Sequence, residues 1–194
     1  PLHRARLEAA GIAPAAVASL DDVRPLPFTV KTDLRDQYPF GMLARPLGEI
    51  SRVHASSGTT GKPTVVAYTP SDLSNWSDLV ARSFAAAGAR KGDVVHNAYG
   101  YGLFTGGLGA HYGAGRLGWA VVPVSGGSTE RQVQLIVDLK ARVLCATPSY
   151  ALAIAEVAGN MGVDLSKGPL QIGIFGAEPW SDAMRREIEA RLGL

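Results

Sequence analysis

The sequence predicts an α/β fold in which a layered sheet with a parallel component is flanked by helices, and three observations carry that prediction. From Ile50 onward, short apolar runs alternate with longer amphipathic stretches, the pattern of strands separated by helices. Several of the amphipathic stretches open on Ser, Thr or Pro and stop at glycine, as capped helices do. Strands separated in this way need crossover connections, so at least part of the sheet is parallel.

Residues 1–49 are punctuated by Pro14, Pro25, Pro27, Pro39 and Pro46, with short helical pieces at 2–10 and 32–37. They read as an irregular arm, and residues 50–194 as the α/β portion. Strands are expected near 50–55 and 64–68, followed by a helix near 70–87 that opens on Thr69-Pro70-Ser71-Asp72 and stops at Gly88. A strand near 93–97, a helix near 105–113 and a strand near 119–124 come next. The helix near 129–140 follows Ser128, a capping residue, and carries Val133, Ile136 and Val137 as an apolar stripe ending at Lys140. A strand near 142–146, a helix near 149–160 and a strand near 171–175 precede the last helix, near 181–192, which follows Pro179-Trp180-Ser181 and ends at Gly193.

Composition narrows the function classes. Hydrophobic residues make up 46% and charged residues 19% of 194, which excludes an intrinsically disordered chain. With 19 basic against 17 acidic residues mixed along the sequence, no field strong enough for nucleic-acid binding builds up. The single cysteine, Cys145, lies in an apolar run and has no partner for an internal disulfide, so a reducing, cytoplasmic setting and a structural thiol are expected. His3, His54, His96 and His111 lack metal-ligand spacing, so no metal site is expected from them. No run reaches the roughly 18 apolar residues of a membrane span, and the N-terminus has no secretory pattern.

The strongest local signal is Ser56-Ser57-Gly58-Thr59-Thr60-Gly61-Lys62-Pro63-Thr64, between two strand-like runs. Hydroxyls, glycines and a lysine concentrated in one turn offer many donors to a polyphosphate, although a flexible hydroxyl-rich hairpin loop would look the same by composition. A nucleotide-triphosphatase P-loop would need glycine where Ser56 stands and a hydroxyl residue where Pro63 stands, so that reading fails at both ends. Gly113-Ala114-Gly115-Arg116-Leu117-Gly118 satisfies G-x-G-x-x-G but follows a helix and opens a strand, the reverse of a dinucleotide fingerprint. Its glycines read as a helix stop with close packing.

Positions 56–63 resemble the phosphate-binding signature of the acyl-adenylate-forming superfamily: two hydroxyl residues, Gly, a hydroxyl residue, Thr, Gly, any residue, Pro. The superfamily usually carries lysine after the proline, whereas here Lys62 precedes it and Thr64 follows. That departure resembles the phenylacetate–coenzyme A ligase branch and its aryl-CoA ligase relatives. The likeness extends through Leu26-Pro27-Phe28, Asp33-Leu34-Arg35, Tyr38-Pro39-Phe40-Gly41, the run from Tyr99 to Gly107, Ser125-Gly126-Gly127, Thr147-Pro148-Ser149-Tyr150 and Gly176-Ala177-Glu178-Pro179-Trp180.

The resemblance implies a two-step ligase with ATP, ATP-bound Mg2+ and an aryl carboxylate, phenylacetate first among them, and coenzyme A as co-substrate. It implies phosphate contacts from Ser56, Ser57, Gly58, Thr59, Thr60, Gly61 and Lys62, and adenosine contacts from Gly176, Ala177 and Glu178. The alternative for Glu178 is that it accepts a hydrogen bond or simply favours the start of the helix that follows it. Tyr99, Phe104 and Gly106 are the implied aryl pocket, with ordinary core packing as the alternative. No residue of these 194 is assigned a catalytic role. The likeness covers the N-terminal part of the family, whose C-terminal domain and acidic magnesium-binding segment lie outside it, so the chain alone is expected to be inactive or poorly active. A non-catalytic nucleotide- or acid-binding module, or a ligase for another carboxylate such as a benzoate, stays open. So does a homodimer, since a truncated sheet can expose an apolar edge.

Overall fold

The computed structural model describes residues 2–56 and 61–194. By contact the chain divides into two compact units, Pro1–Pro70 and Ser71–Leu194. The strands expected near 50–55 and 64–68 form β1 (Arg52–Ala55) and β2 (Val65–Tyr68), which pair antiparallel with each other in a sheet of their own. By contact they fall in the first unit, Pro1–Pro70.

In the first unit, α1 (Leu2–Ala9) and α2 (Lys31–Asp36) are tied by a two-pronged ion pair between Arg6 and Asp33, with N–O distances of 2.6 and 2.7 Å. Asp33 also accepts the Val30 amide at 2.8 Å, satisfying a backbone donor that a helix start leaves open. Hydrogen bonding from Arg6 holds the Asp33 carboxyl below the usual carboxylate range.

The second unit meets the expected α/β architecture. Helix α3 (Pro70–Ala86) leads into β3 (Val94–Asn97), α4 (Gly106–Arg116), β4 (Ala120–Val122) and α5 (Thr129–Asp138). These are followed by β5 (Val143–Ala146), α6 (Pro148–Asn160), β6 (Ile172–Phe175) and α7 (Asp182–Leu192). The four strands are parallel in the order β4-β3-β5-β6. All four residues of β5 are buried, because it lies inside the sheet and is covered on both faces. Successive strand side chains point to opposite faces, so Leu144 and Ala146 pack with Val133, Ile136, Ile154 and Ile188. Val143 and Cys145 pack on the other side with Phe84, Val95, Ala114 and Trp119. Each fully buried Leu, Ile or Phe contributes about 1.5–3 kcal/mol by leaving water.

Glycines explain how α4 sits. A Cβ on Gly113 would lie 2.4 Å from Val80 Cγ1, and one on Gly109 would lie 2.8 Å from Trp76, so small residues let α3 approach α4 closely. The helix expected at 105–113 runs on to Arg116, and Gly118, at φ +73°, takes the backbone out of it. The G-x-G-x-x-G run is thus helix interior followed by a stop.

Cys145 is fully buried, and burial pushes its thiol up to about 12. The native protein should therefore resist a thiol-specific reagent at neutral pH and become fully labelled once unfolded. Rapid labelling of the folded state would contradict the inert assignment.

Candidate functional site

The connection from β3 through α4 reaches β4 on one side, and the next strand, β5, lies on the other side of β3. The chain therefore reverses direction in the sheet between β3 and β5, and open parallel sheets leave a ligand crevice at the carboxyl ends of such a pair. A cleft of about 470 Å³ opens there, with walls that include Ala98, Tyr99, Gly126, Gly127, Thr147 and Tyr150.

Asn97, the last residue of β3, organises the glycine-rich segment that follows. It is fully buried and donates at 2.7 Å to the Tyr101 hydroxyl and at 2.8 Å to the Gly107 carbonyl. Its Oδ1 accepts the Tyr99 amide at 3.3 Å, a local side-chain turn that bends the chain out of the strand. Tyr101 Oη lies 3.2 Å from His111 Nδ1 on α4, and its amide donates to Ser125 Oγ at 3.3 Å.

Tyr99 is half-buried, and its hydroxyl donates to the Ile174 carbonyl of β6 at 3.3 Å. Burial, as the leading cause, pushes its phenol up to about 12, so it stays protonated at neutral pH. A Cβ on Gly106 would touch the Tyr99 ring at 3.4 Å, and one on Gly176 would lie 3.8 Å from its hydroxyl. Tyr99, Gly106 and Gly176, singled out separately from the sequence, are thus gathered around one ring. Phe104 is not part of that group: its side chain is 59% exposed and does not line the cleft.

The turn after β6 places Ala177 at φ +74°, a left-handed conformation that a non-glycine residue adopts at a cost of about 1–2 kcal/mol. Glu178 Oε1 accepts the Ser149 amide at 2.6 Å in the first turn of α6, and that hydrogen bond holds the carboxyl below its usual range. The helix that Glu178 serves is therefore α6, not the one that follows it in the chain. Ser128, expected as a side-chain cap of α5, makes no such bond; it sits at φ +46° as the end of a left-handed loop.

In the first unit, Ser56 and Thr64 close the β1–β2 hairpin. The Ser56 amide donates to the Thr64 carbonyl at 3.0 Å, and the Thr64 amide donates to Ser56 Oγ at 3.0 Å. Ser57, Gly58, Thr59 and Thr60 lie outside the described residues. Gly61 has φ +128°, and Lys62 is exposed with Nζ 5.7 Å from the centre of the Tyr38 ring.

Two residues with clear structural consequences escape the sequence reading, Asn97 and Gln132. Gln132 lies one turn before Ile136 on the apolar stripe of α5 and is fully buried. A polar residue on a stripe that must be dry is the signal that would have found it.

Among the described residues, no group of three or more His, Cys, Asp or Glu side chains is placed to hold a metal ion, and no helix is long and apolar enough to cross a membrane.

Known proteins sharpen these features. The chain is 57% identical over 194 residues to the phenylacetate-coenzyme A ligase of Pseudomonas putida, covering 100% of this chain and 44% of that protein. Against the phenylacetate-coenzyme A ligase of Escherichia coli (strain K12) it is 55% identical over 195 residues, covering 100% of this chain and 45% of that one. The chain therefore spans less than half the length of the curated relatives it matches. A crystal structure of 2-hydroxyisobutyryl-CoA ligase with 2-HIB-AMP and CoA in the thioesterification state superposes with a TM-score of 0.92 at 33% identity, over 100% of this chain and 43% of that one. An open conformation of the same ligase with the same ligands gives a TM-score of 0.91 at 32% identity, over 100% of this chain and 47% of that one. The family model described as AMP-binding enzyme matches residues 49–194, from just before β1 to the end of the chain, and the chain belongs to that family.

Proposed function

We propose that the protein activates an aryl carboxylate, phenylacetate first among candidates, with ATP and passes the acyl group to coenzyme A. The observation that carries this reading is the likeness to phenylacetate-coenzyme A ligases along the whole chain, with the loop signature at 56–63 intact. In the first step a carboxylate oxygen attacks the α-phosphorus, forming the acyl-adenylate as the bond to the bridging oxygen breaks and pyrophosphate leaves. In the second, the thiol sulfur of coenzyme A attacks the acyl carbon; a C–S bond replaces the C–O bond, AMP leaves, and the thiol proton passes to solvent.

Neither step needs a nucleophilic side chain, so the protein's contribution is alignment and charge stabilisation. The hydroxyls and amides of Ser56–Gly61 would hold the β- and γ-phosphates, with Lys62 adding a positive charge. Gly176, Ala177 and Glu178 would lie along the adenosine, and Tyr99 and Gly106 would shape the aryl pocket, from which the exposure of Phe104 removes that ring. Mg2+ would be carried by the nucleotide phosphates and neutralise their charge, a mode that calls for few protein carboxylates. A cytoplasmic setting and a homodimer belong to the same proposal; sedimentation of the whole protein tests the latter.

The deciding experiment is carboxylate-dependent exchange of labelled pyrophosphate into ATP by the whole protein, with phenylacetate, benzoate, 2-hydroxyisobutyrate and acetate compared. Exchange should be fastest with phenylacetate. A preference for benzoate would reassign the acid, and ATP binding without exchange on any of the four would overturn the ligase reading in favour of a binding module.

A further inference from the structure

Two fully buried polar side chains, His96 of β3 and Gln132 of α5, form a network behind the cleft. His96 Nε2 hydrogen-bonds Gln132 Oε1. Gln132 Nε2 donates at 2.6 Å to the Ser125 carbonyl and at 3.1 Å to the Gly127 carbonyl. An amide nitrogen that serves two carbonyls leaves the amide oxygen facing His96, so the proton on the imidazole sits on Nε2 and Nδ1 is bare. Among the described residues Nδ1 has no hydrogen-bond partner, and burial lowers the affinity of the ring for a second proton.

The backbone that Gln132 grips cannot hold itself. Ser125, Gly127 and Ser128 have φ of +66°, +90° and +46°, and two of the three carry side chains that disfavour this region. Such a conformation persists only where its surroundings fix it. From the cleft side, the Tyr150 hydroxyl accepts the Gly127 amide at 3.0 Å and donates to the Gly127 carbonyl at 3.1 Å. From the sheet side, the Ser125 amide donates to the Asn97 carbonyl at 3.2 Å. Gln132 is the support from beneath, and Gly126 and Gly127 then line the cleft together with Ala98 and Tyr99.

We propose that Gln132, backed by His96, is a positioning residue: the buried pair holds 125–128 as a cleft wall and through it sets the fit of the acid's aryl end beside Tyr99. Gln132 itself touches no substrate. The identity of the occupant rests on the ligase reading above, whereas the support of the loop does not.

Gln132→Leu removes every hydrogen bond of the pair at similar volume. Gln132→Glu keeps the length and the acceptor for His96 but turns a carboxylate toward the two loop carbonyls. In the whole protein, deuterium uptake by peptides covering 125–128 should quicken by about tenfold in both variants, with the peptides of β5 unchanged. The KM for the carboxylate should rise by about tenfold while kcat and the KM for ATP stay within about twofold. A residue serving stability alone would lower the melting temperature and leave that KM untouched. Unchanged uptake at 125–128 overturns the proposal, and so does faster uptake with an unchanged KM for the acid. If the unsubstituted protein activates no acid, the ligase reading falls and uptake alone decides whether Gln132 holds the loop. Should the leucine variant fail to fold, the glutamate variant carries both measurements.

Discussion

Asn97→Leu is expected to destabilise the second unit by about 2–4 kcal/mol, because it removes the three hydrogen bonds of a fully buried side chain and strands their partners. The Gly107 carbonyl and the Tyr99 amide lose Asn97 outright, while the Tyr101 hydroxyl keeps His111. Leucine has the same branched shape and is somewhat larger, so the loss comes from unpaired polar groups and not from a cavity. For a unit of this size the melting temperature should fall by roughly 10 °C. Tyr101→Phe removes the hydroxyl that Asn97 and His111 share, and its effect should be nearer 1 kcal/mol. Thermal unfolding of the two variants beside the unsubstituted protein checks the order. Equal melting temperatures for Asn97→Leu and the parent would mean that the polar cluster after β3 stabilises nothing.

The strands of the second unit were legible because each is a short apolar run bounded by turn residues, and Val143–Ala146 is the plainest instance. Their order was not. Periodicity records that a face is buried but not which strand lies beside it, so β4-β3-β5-β6, and with it the cleft between β3 and β5, appears only in the folded chain. The same blindness hid that β1 and β2 pair with each other in a sheet of their own: two apolar runs flanking a loop look alike whether they join a large sheet or pair alone. At the site, Tyr99, Gly106 and Gly176 could be named one by one, but their convergence on a single ring depends on the Tyr99 bond to Ile174, which spans distant parts of the sequence. The hydrogen-bond partner of Glu178 was hidden for a related reason. A carboxylate near a helix start in sequence suggests that helix, whereas the amide it accepts, from Ser149, belongs to a helix that lies earlier in the chain. Ser128 shows the converse, a preferred capping residue whose backbone takes a left-handed turn instead.

Gly107→Ala and Gly106→Ala should give opposite results despite being neighbours in the first turn of α4. A Cβ on Gly107 would lie 2.4 Å from the Gly100 carbonyl oxygen and 2.8 Å from its carbon, and backbone atoms cannot rotate aside as a flexible side chain can. Either α4 or the segment from Gly100 must shift, which costs about 1–3 kcal/mol as overpacking. The shift also pulls the Gly107 carbonyl from Asn97, adding the loss of a buried hydrogen bond, so a total near 3 kcal/mol is expected. At Gly106 the new methyl would meet the Tyr99 ring at 3.4 Å, an ordinary contact, and alanine is favoured over glycine in a helix by up to about 1 kcal/mol. Stability should hold or rise there. Function separates the two differently: the Gly106 methyl fills space beside the Tyr99 ring and should alter the choice of acid without loss of folding, whereas Gly107→Ala should lose both together. Denaturant unfolding and pyrophosphate exchange across the same set of acids check the pair. An unchanged acid preference in Gly106→Ala would take Gly106 out of the aryl pocket, and a Gly107→Ala protein as stable as the parent would show that the segment after β3 yields more easily than its bond to Asn97 implies.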